Sequence, residues 1–452
     1  MRFPIPFRPL TDGGRQALSA ALATLLASAV AAGSTAQESE QAFPVATPES
    51  VGLSEEALAE LASEVRGYLE SDLAVGAELL VIKDRRTVLH ECFGLADRAA
   101  EEPWVDGTLC NIRSMTKPLT GAAIQVLVDR GELSLDDPVA AYLPGFDTDE
   151  AREITVHQLL THRSGLPLTA LTSMDEHASL REMGDAIGAR GPEFEPGSRF
   201  WYSDSGTDAL GAVVEVVSGR TLDTYVREEL LSPLGMSESF YYLDDQDPRR
   251  TRIASLYIGG PGSWQRFLDP DEATFYPFAW GSQSLYSTPE DYARFLAMWM
   301  DRGLVGERRV LSEDAIARTL TPISDMSMLG SEARFPTSFR GLEVDYGQMA
   351  VLHVPAGSDG PPRIIGHSGS DGTIAWAWPE RDLMILYFTQ SRGGSSALRL
   401  EEAIDRLLIS PESYSQVAEV PEELQEYLGT YIADWSTHMK EELVIQYENG
   451  SL

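Results

Sequence analysis

Residues 113–124 read RSMTKPLTGAAI and set Ser114 and Lys117 one helical turn apart at the head of an apolar run. Residues at i and i+3 project from one face of a helix. The free N–H groups at a helix N-terminus favour a developing negative charge. The chain has 35 lysines and arginines, yet only Lys83, Lys117 and Lys440 are lysine. A lysine used for charge alone could be arginine in such a chain. One that must lose its proton near neutral pH could not, because a guanidinium stays protonated. Lys117 opens the apolar run, so a desolvated amine with a lowered pKa is expected there, as the base for a serine that is a poor nucleophile without one. Taken alone, the pair fits a capping serine and a surface lysine equally well.

Three further stretches bear on the choice. ITVHQLLTHRSGLP spans residues 154–167 and follows SLDDPVAAYLP. PGSRFWYSDSGTDALGAVVEVVSG, residues 196–219, puts Tyr202-Ser203-Asp204 on a loop ahead of an apolar helix. IIGHSGSDG, residues 364–372, puts His367-Ser368-Gly369 on a strand. This ordered set resembles the serine β-lactamase and penicillin-binding-protein superfamily. It is most similar to the branch of class C β-lactamases, family VIII carboxylesterases and D-aminopeptidases. The resemblance spans about residues 45–410. It implies a β-lactamase/transpeptidase-like α/β (α+β) fold: an antiparallel sheet flanked by helices plus an inserted all-helical lobe, with the site in the cleft between them.

The resemblance also implies roles. Ser114 matches the acylated nucleophile and Lys117 its partner. Tyr202 matches the tyrosine of the Tyr-x-Asn motif, which moves protons in class C enzymes. His367-Ser368-Gly369 stands where β-lactamases have Lys-Thr-Gly, so these three residues and Asp204 are expected to contact substrate. The oxyanion hole would be the backbone N–H groups of Ser114 and Ser370. Two departures matter. Asp204 replaces the usual asparagine, and a carboxylate about 4 Å from Lys117 would favour the ammonium by roughly 4 kcal/mol at an effective dielectric near 20. Tyr202, as a phenolate stabilised by Lys117, then becomes the better base, although either residue could take the proton. His367 replaces a lysine, and a mostly neutral imidazole holds a β-lactam carboxylate less well. Both changes lean toward an esterase or peptidase.

Composition is consistent with such an enzyme. With 452 residues, 43% hydrophobic and 23% charged, the chain is globular and can bury a large core. A formal charge of −35 repels nucleic acid and anionic lipid, leaving a small ester, amide or D-amino-acid-containing molecule as the expected partner. Residues 1–36 read as a signal peptide: Arg2, Arg8 and Arg15, then ALSAALATLLASAVAA from Ala17 to Ala32, then Ser34-Thr35-Ala36. The apolar run is short and Ala-rich for a membrane span. Cleavage would leave a periplasmic or secreted chain without a stable membrane anchor. Cys92 and Cys110 could pair in that compartment, but without a disulfide framework two buried thiols are the default.

Ser54 caps a helical pattern, EEALAELASEVRGYLE, and AELLVIKDRRTVLHECFG reads as a hairpin turning at Asp84 to Arg86. Residues 111 to about 320 read as mostly helical. Strands return from 345 in DYGQMAVLHV, RIIGHSG, TIAWAWP and DLMILYFTQ, so one mixed sheet should be closed by both ends of the chain. Residues 411–421 read as a linker. Residues 422–452 read as the start of a truncated C-terminal β domain, with Asn449-Gly450 as a hairpin turn.

Other candidates carry less. His157 and His162 lack HExxH spacing and read as structural, and His90 and His353 read as packing or edge residues. There is no G-x-S-x-G elbow. Trp201, Tyr257, Trp280 and Tyr286 could line an acyl pocket, with core packing as the default. The expected function is an exported serine hydrolase cleaving an ester or amide through a Ser114 acyl-enzyme, without metal or cofactor. A D-amino-acid peptidase, a weak β-lactamase or a non-cycling penicillin-binding sensor are the alternatives.

Overall fold

The computed structural model describes residues 42–170, 176–244, 246–270, 276–326, 337–358 and 360–414, and the backbone of Gly429–Ser436 and Met439–Ile445. The segment read as a signal peptide, most of that read as a linker, and Asn449-Gly450 lie outside these residues. Among the described residues no helix is long and apolar enough to cross a membrane.

Helix α1 (Glu55–Glu70) starts where Ser54 accepts a hydrogen bond from the Ala57 N–H. It buries Leu58, Leu61, Ala62 and Val65 against a large sheet. The sheet begins with β1 (Gly76–Lys83) and β2 (Arg86–Asp97), joined by the two-residue turn Asp84-Arg85, both at positive φ. That conformation matches the twist of the flanking strands. A short β3 (Glu102–Pro103) follows. Much later the chain adds β4 (Ser324–Asp325), β5 (Leu342–Tyr346), β6 (Val351–Pro355), β7 (Ile364–Ser368), β8 (Ile374–Trp378) and β9 (Leu383–Thr389).

The strand order is β4-β5-β6-β7-β8-β9-β1-β2-β3, and β9 runs against β1 with Ala77 opposite Thr389. The two ends of the fold therefore meet in mid-sheet. Every pairing is antiparallel, not mixed. Short turns join most neighbours from β5 onward, and a short turn can join only antiparallel strands. The stretch DYGQMAVLHV contains one such turn: the Gly347 N–H donates to the Ala350 carbonyl, and Met349 sits at φ 58°.

The middle of the chain holds helices α2 (Lys117–Asp129), α3 (Val156–Leu160), α4 (Leu180–Arg190) and α5 (Asp204–Ser218), which pack on one another. Residues Lys117–Leu127 of α2 are buried on all sides, so this is a core helix and not a surface one. Two parts of the middle depart from a separate all-helical lobe, one by being strand and one by packing on the sheet. Leu256–Ile258 and Gln265–Leu268 form a ribbon that pairs with Ser391–Arg392. Helix α6 (Pro289–Met300) returns to the sheet, packing on β8, β9 and β1 with Tyr292, Phe295 and Trp299 buried. Helix α7 (Ser396–Ile404) packs on α1, and Arg406 just beyond it reaches Glu60 and Glu64 at 2.8 and 2.7 Å. The first linker residues, Pro411–Tyr414, form a helical turn, and the Tyr414 hydroxyl donates to Asp405 at 3.0 Å. Beyond it, Gly429–Ser436 and Met439–Ile445 pair antiparallel with each other.

Candidate active site

Ser114 lies in a single 3₁₀ turn, Arg113–Thr116, that runs directly into α2. The turn's neighbours are buried while Ser114 is only half-buried, so its hydroxyl faces outward from a rigid element. Its N–H is in the first turn, where a helix supplies no acceptor. One turn on, Lys117 is fully buried. Its Nζ lies 3.2 Å from Ser114 Oγ, 2.6 Å from Asp204 Oδ1 and 3.1 Å from the Ser282 carbonyl oxygen. It also lies 4.8 Å from the centre of the Tyr202 ring.

Tyr202 and Asp204 are held by the segment that follows α3. The Trp201 N–H donates to the His162 carbonyl at 2.7 Å, the Ser203 N–H to His162 Nδ1 at 3.3 Å and the Asp204 N–H to the Leu168 carbonyl at 2.9 Å. Ser203 caps α5 by accepting from the Gly206 N–H at 2.9 Å, and its own hydroxyl donates to the Pro167 carbonyl at 2.7 Å. Such a cap contributes about 1 kcal/mol and fixes the angle at which the chain enters the helix. The HRSGLP stretch is thus the cradle of the Tyr-Ser-Asp turn. His162 itself is fully buried, at φ 52°, with its ring 4.5 Å from that of Tyr202.

The charges in this group follow from their surroundings. Burial pulls the Lys117 amine down, but the carboxylate of Asp204, then Tyr202, more than offset it, so its pKa is raised and the resting form is the ammonium. The freed amine expected from desolvation alone is therefore not the resting state. Burial also holds the Tyr202 hydroxyl above the usual phenol range despite the opposing charge of Lys117. Tyr202 therefore rests as a phenol, and the charge of Lys117 does not by itself make it a phenolate. One turn along α5, Asp208 accepts from the Ser282 N–H at 2.9 Å, and burial together with Asp204 pushes its carboxyl up to about 7. Asp208 and Lys117 hold Ser282 from its two backbone groups.

The third stretch reaches the site differently from expectation. His367 is buried, and its imidazole is pushed down to about 3, chiefly by burial. Its Nδ1–H donates to the Ser368 carbonyl at 2.7 Å, and Nε2 accepts from the Tyr346 hydroxyl at 3.3 Å. The ring is neutral, both nitrogens are used, and it packs behind Tyr202 at 6.3 Å. His367 is thus turned inward, while Ser368, the next residue on the strand, is exposed. Ser370 is exposed, and its Oγ accepts from Arg392 Nη2 at 2.9 Å. Gly369 is a packing requirement: a Cβ there would lie 2.6 Å from the Ile112 carbonyl oxygen and 2.2 Å from Thr373 Oγ1. Gly369→Ala is expected to lower stability by about 1–3 kcal/mol, read as a fall in Tm, because backbone cannot step aside as a side chain can. An unchanged Tm would show that the loop has room.

A family model described as Beta-lactamase matches residues 61–408. The chain belongs to the β-lactamase family. Esterase EstB of Burkholderia gladioli is 32% identical over 340 residues, covering 67% of this chain and 82% of that one. A penicillin-binding protein from Bacillus halodurans has a similar structure, with a TM-score of 0.60 and 26% identity over 76% of this chain and 98% of that one. A family VIII carboxylesterase shares the fold, with a TM-score of 0.63 and 22% identity over 79% of this chain and 99% of that one. The β-lactamase family is one of serine hydrolases, with esterase and penicillin-binding members.

In this β-lactamase-family chain the structure brings together Ser114, Lys117, Tyr202 and Asp204 from sequence positions up to 90 apart. Sequence reasoning missed Ser282, Asp208, Arg113, Asp371 and Arg392, whose partners are all distant in sequence. Of the aromatic candidates, Trp280 is buried, Tyr286 stacks on Phe240 and Tyr257 donates to Asp97, so all three serve packing. His353 packs between Phe339 and Trp376. Cys92 and Cys110 are free thiols. Among the described residues, Glu78, His90 and Cys92 bring ligand atoms within 4.8 Å of one another. The Glu78 oxygens already accept from His90 and Trp104, at 2.7 and 3.0 Å, and burial pushes the Cys92 thiol up to about 12. The cluster thus satisfies itself without a cation.

Proposed function

We propose that the chain is an exported serine hydrolase that cleaves an ester through an acyl-enzyme on Ser114. The observation that carries this reading is the line from Ser114 Oγ through Lys117 Nζ to Asp204 Oδ1, at 3.2 and 2.6 Å, with the lysine fully buried. A resting ammonium cannot accept a proton. It can take one from Ser114 while passing one of its own to Asp204, which leaves the lysine's charge unchanged. Ser114 then attacks the carbonyl carbon, and the N–H groups of Ser114 and Ser370 receive the negative oxygen. Tyr202, protonated at rest, donates to the leaving oxygen and recovers its proton from the Lys117–Asp204 pair. Water enters in place of the alcohol and the same groups run in the opposite sense, releasing the acid.

Ester is favoured over β-lactam because position 367 carries a neutral, engaged imidazole in place of the lysine of β-lactamases, and the nearby Arg392 is committed to Asp371 and Ser370. The likeness to EstB points the same way. Export rests on the leader at residues 1–36. Steady-state turnover and intact mass with a short-chain aryl ester, a chromogenic β-lactam and a D-alanyl amide test the reading. The ester should cycle fastest. A stoichiometric burst with the β-lactam and no turnover of any of the three would instead establish a penicillin-binding sensor.

Asp204→Asn separates two ways of using the lysine. If Lys117 works as a free amine, removing the neighbouring charge lowers its pKa and raises activity at neutral pH. If it relays to Asp204, the variant lacks an acceptor. We expect the second outcome: kcat/KM at pH 7 falls by about two orders of magnitude, and an acid limb belonging to Lys117 appears. A more active variant would sink the relay.

A further inference from the structure

Arg113, immediately before Ser114, is buried at φ 47°, a conformation that residues bearing a side chain adopt rarely. Its Nε donates to Asp371 Oδ2 at 2.6 Å, and its Nη1 to the Tyr276 hydroxyl. The Asp371 side chain has no exposed surface, and its other oxygen accepts from Arg392 Nε at 2.6 Å. The same Arg392 donates through Nη2 to Ser370 Oγ at 2.9 Å. The Asp371 carbonyl accepts from the Ser391 N–H at 3.0 Å, and Gln390 Nε2 donates to the Asn111 carbonyl at 3.0 Å. Three segments far apart in sequence, 111–114, 369–371 and 390–392, are tied together through one carboxylate. Two of them carry the backbone N–H groups assigned to the oxyanion.

We propose that Asp371, with Arg113 and Arg392, is a positioning residue that sets the separation of the Ser114 and Ser370 N–H groups. This rests on the acyl-enzyme reading above. A buried carboxylate shared by two guanidiniums is a stiff bridge, since each bond is charge-assisted and leaving any member unpaired is costly. Arg113 lies within the bridge and next to the nucleophile, so its strained backbone is held where the carboxylate puts it. A donor aimed at developing charge is effective only at hydrogen-bond distance from where the oxyanion will be. Loosening the bridge should therefore weaken binding of a tetrahedral, anionic species more than that of a planar one.

The test compares wild type with Asp371→Asn and Arg392→Gln, using an aryl ester substrate, an aryl boronic acid as tetrahedral mimic and the carboxylic acid product as planar control. Asp371→Asn is expected to lower kcat about a hundredfold with KM within about threefold. Its boronate Ki should rise in the same proportion while the product Ki holds. Arg392→Gln should show the same pattern at about tenfold, and it carries the test alone if Asp371→Asn does not fold. Wild-type kcat and boronate affinity in a folded variant would overturn the proposal. So would equal weakening of boronate and product, which marks a merely structural role. Labelling of Ser114 by a fluorophosphonate in the same proteins keeps the two readings apart: labelled variants with unchanged kinetics defeat only the bridge, whereas an unlabelled Ser114 in wild type defeats both.

Discussion

Ser114→Ala should abolish covalent labelling by an acyl-directed phosphonate and lower kcat by at least about four orders of magnitude. A nucleophile acts as a unit with its proton partners, so removing it forfeits nearly everything the unit supplies. What survives is the contribution of the N–H groups and of binding. The fold should tolerate the change, since Ser114 is half-buried and its Oγ bonds only within the site, to Lys117 Nζ at 3.2 Å and to the Tyr202 hydroxyl. Intact mass after phosphonate treatment is the direct measurement. Labelling at wild-type rate in the alanine variant would place the nucleophile elsewhere and remove the basis for the mechanism.

Lys117→Arg is the second large effect, with an expected loss of about a thousandfold in kcat. The charge is preserved, so the partly exposed Asp204 carboxylate keeps a cationic partner. The guanidinium cannot release a proton to Asp204, and so it cannot take one from Ser114. It is also larger than the ammonium in a site with no free surface, so circular dichroism and Tm must show a folded protein before the kinetics are read. Near-normal turnover in a folded arginine variant would mean that Lys117 serves only as a fixed charge. Together with Asp204→Asn, this substitution separates the amine's charge from its ability to exchange protons.

The rarity of lysine makes position 117 legible from the sequence, because a chain that otherwise uses arginine keeps lysine where its chemistry differs. The hairpin at Asp84-Arg85 and the Ser54 cap are readable for a similar reason: each depends on residues within a few positions of one another. The motif order likewise marks Tyr202 and Asp204. For His367 the motif says where the strand passes, while its burial and its bonds to Tyr346 and Ser368 come only from the fold. The charge of Lys117 is half legible: the aspartate at 204 already favours the ammonium, and the fold supplies the 2.6 Å contact, across 87 residues, that overrides desolvation.

Local patterns in the chain specify its chemical inventory and the order of its elements: a serine and lysine on one helix turn, a tyrosine and aspartate at the next buried helix, and strands at both ends. Helix and strand periodicity, caps and turns encode those within a few residues. It takes the closed fold to give Arg113 and Arg392 one shared carboxylate on Asp371, and to bring the Ser282 carbonyl to Lys117. Contacts of this kind depend on which surfaces meet when the sheet closes. Any buried carboxylate must find a partner, but its own local sequence does not name which one.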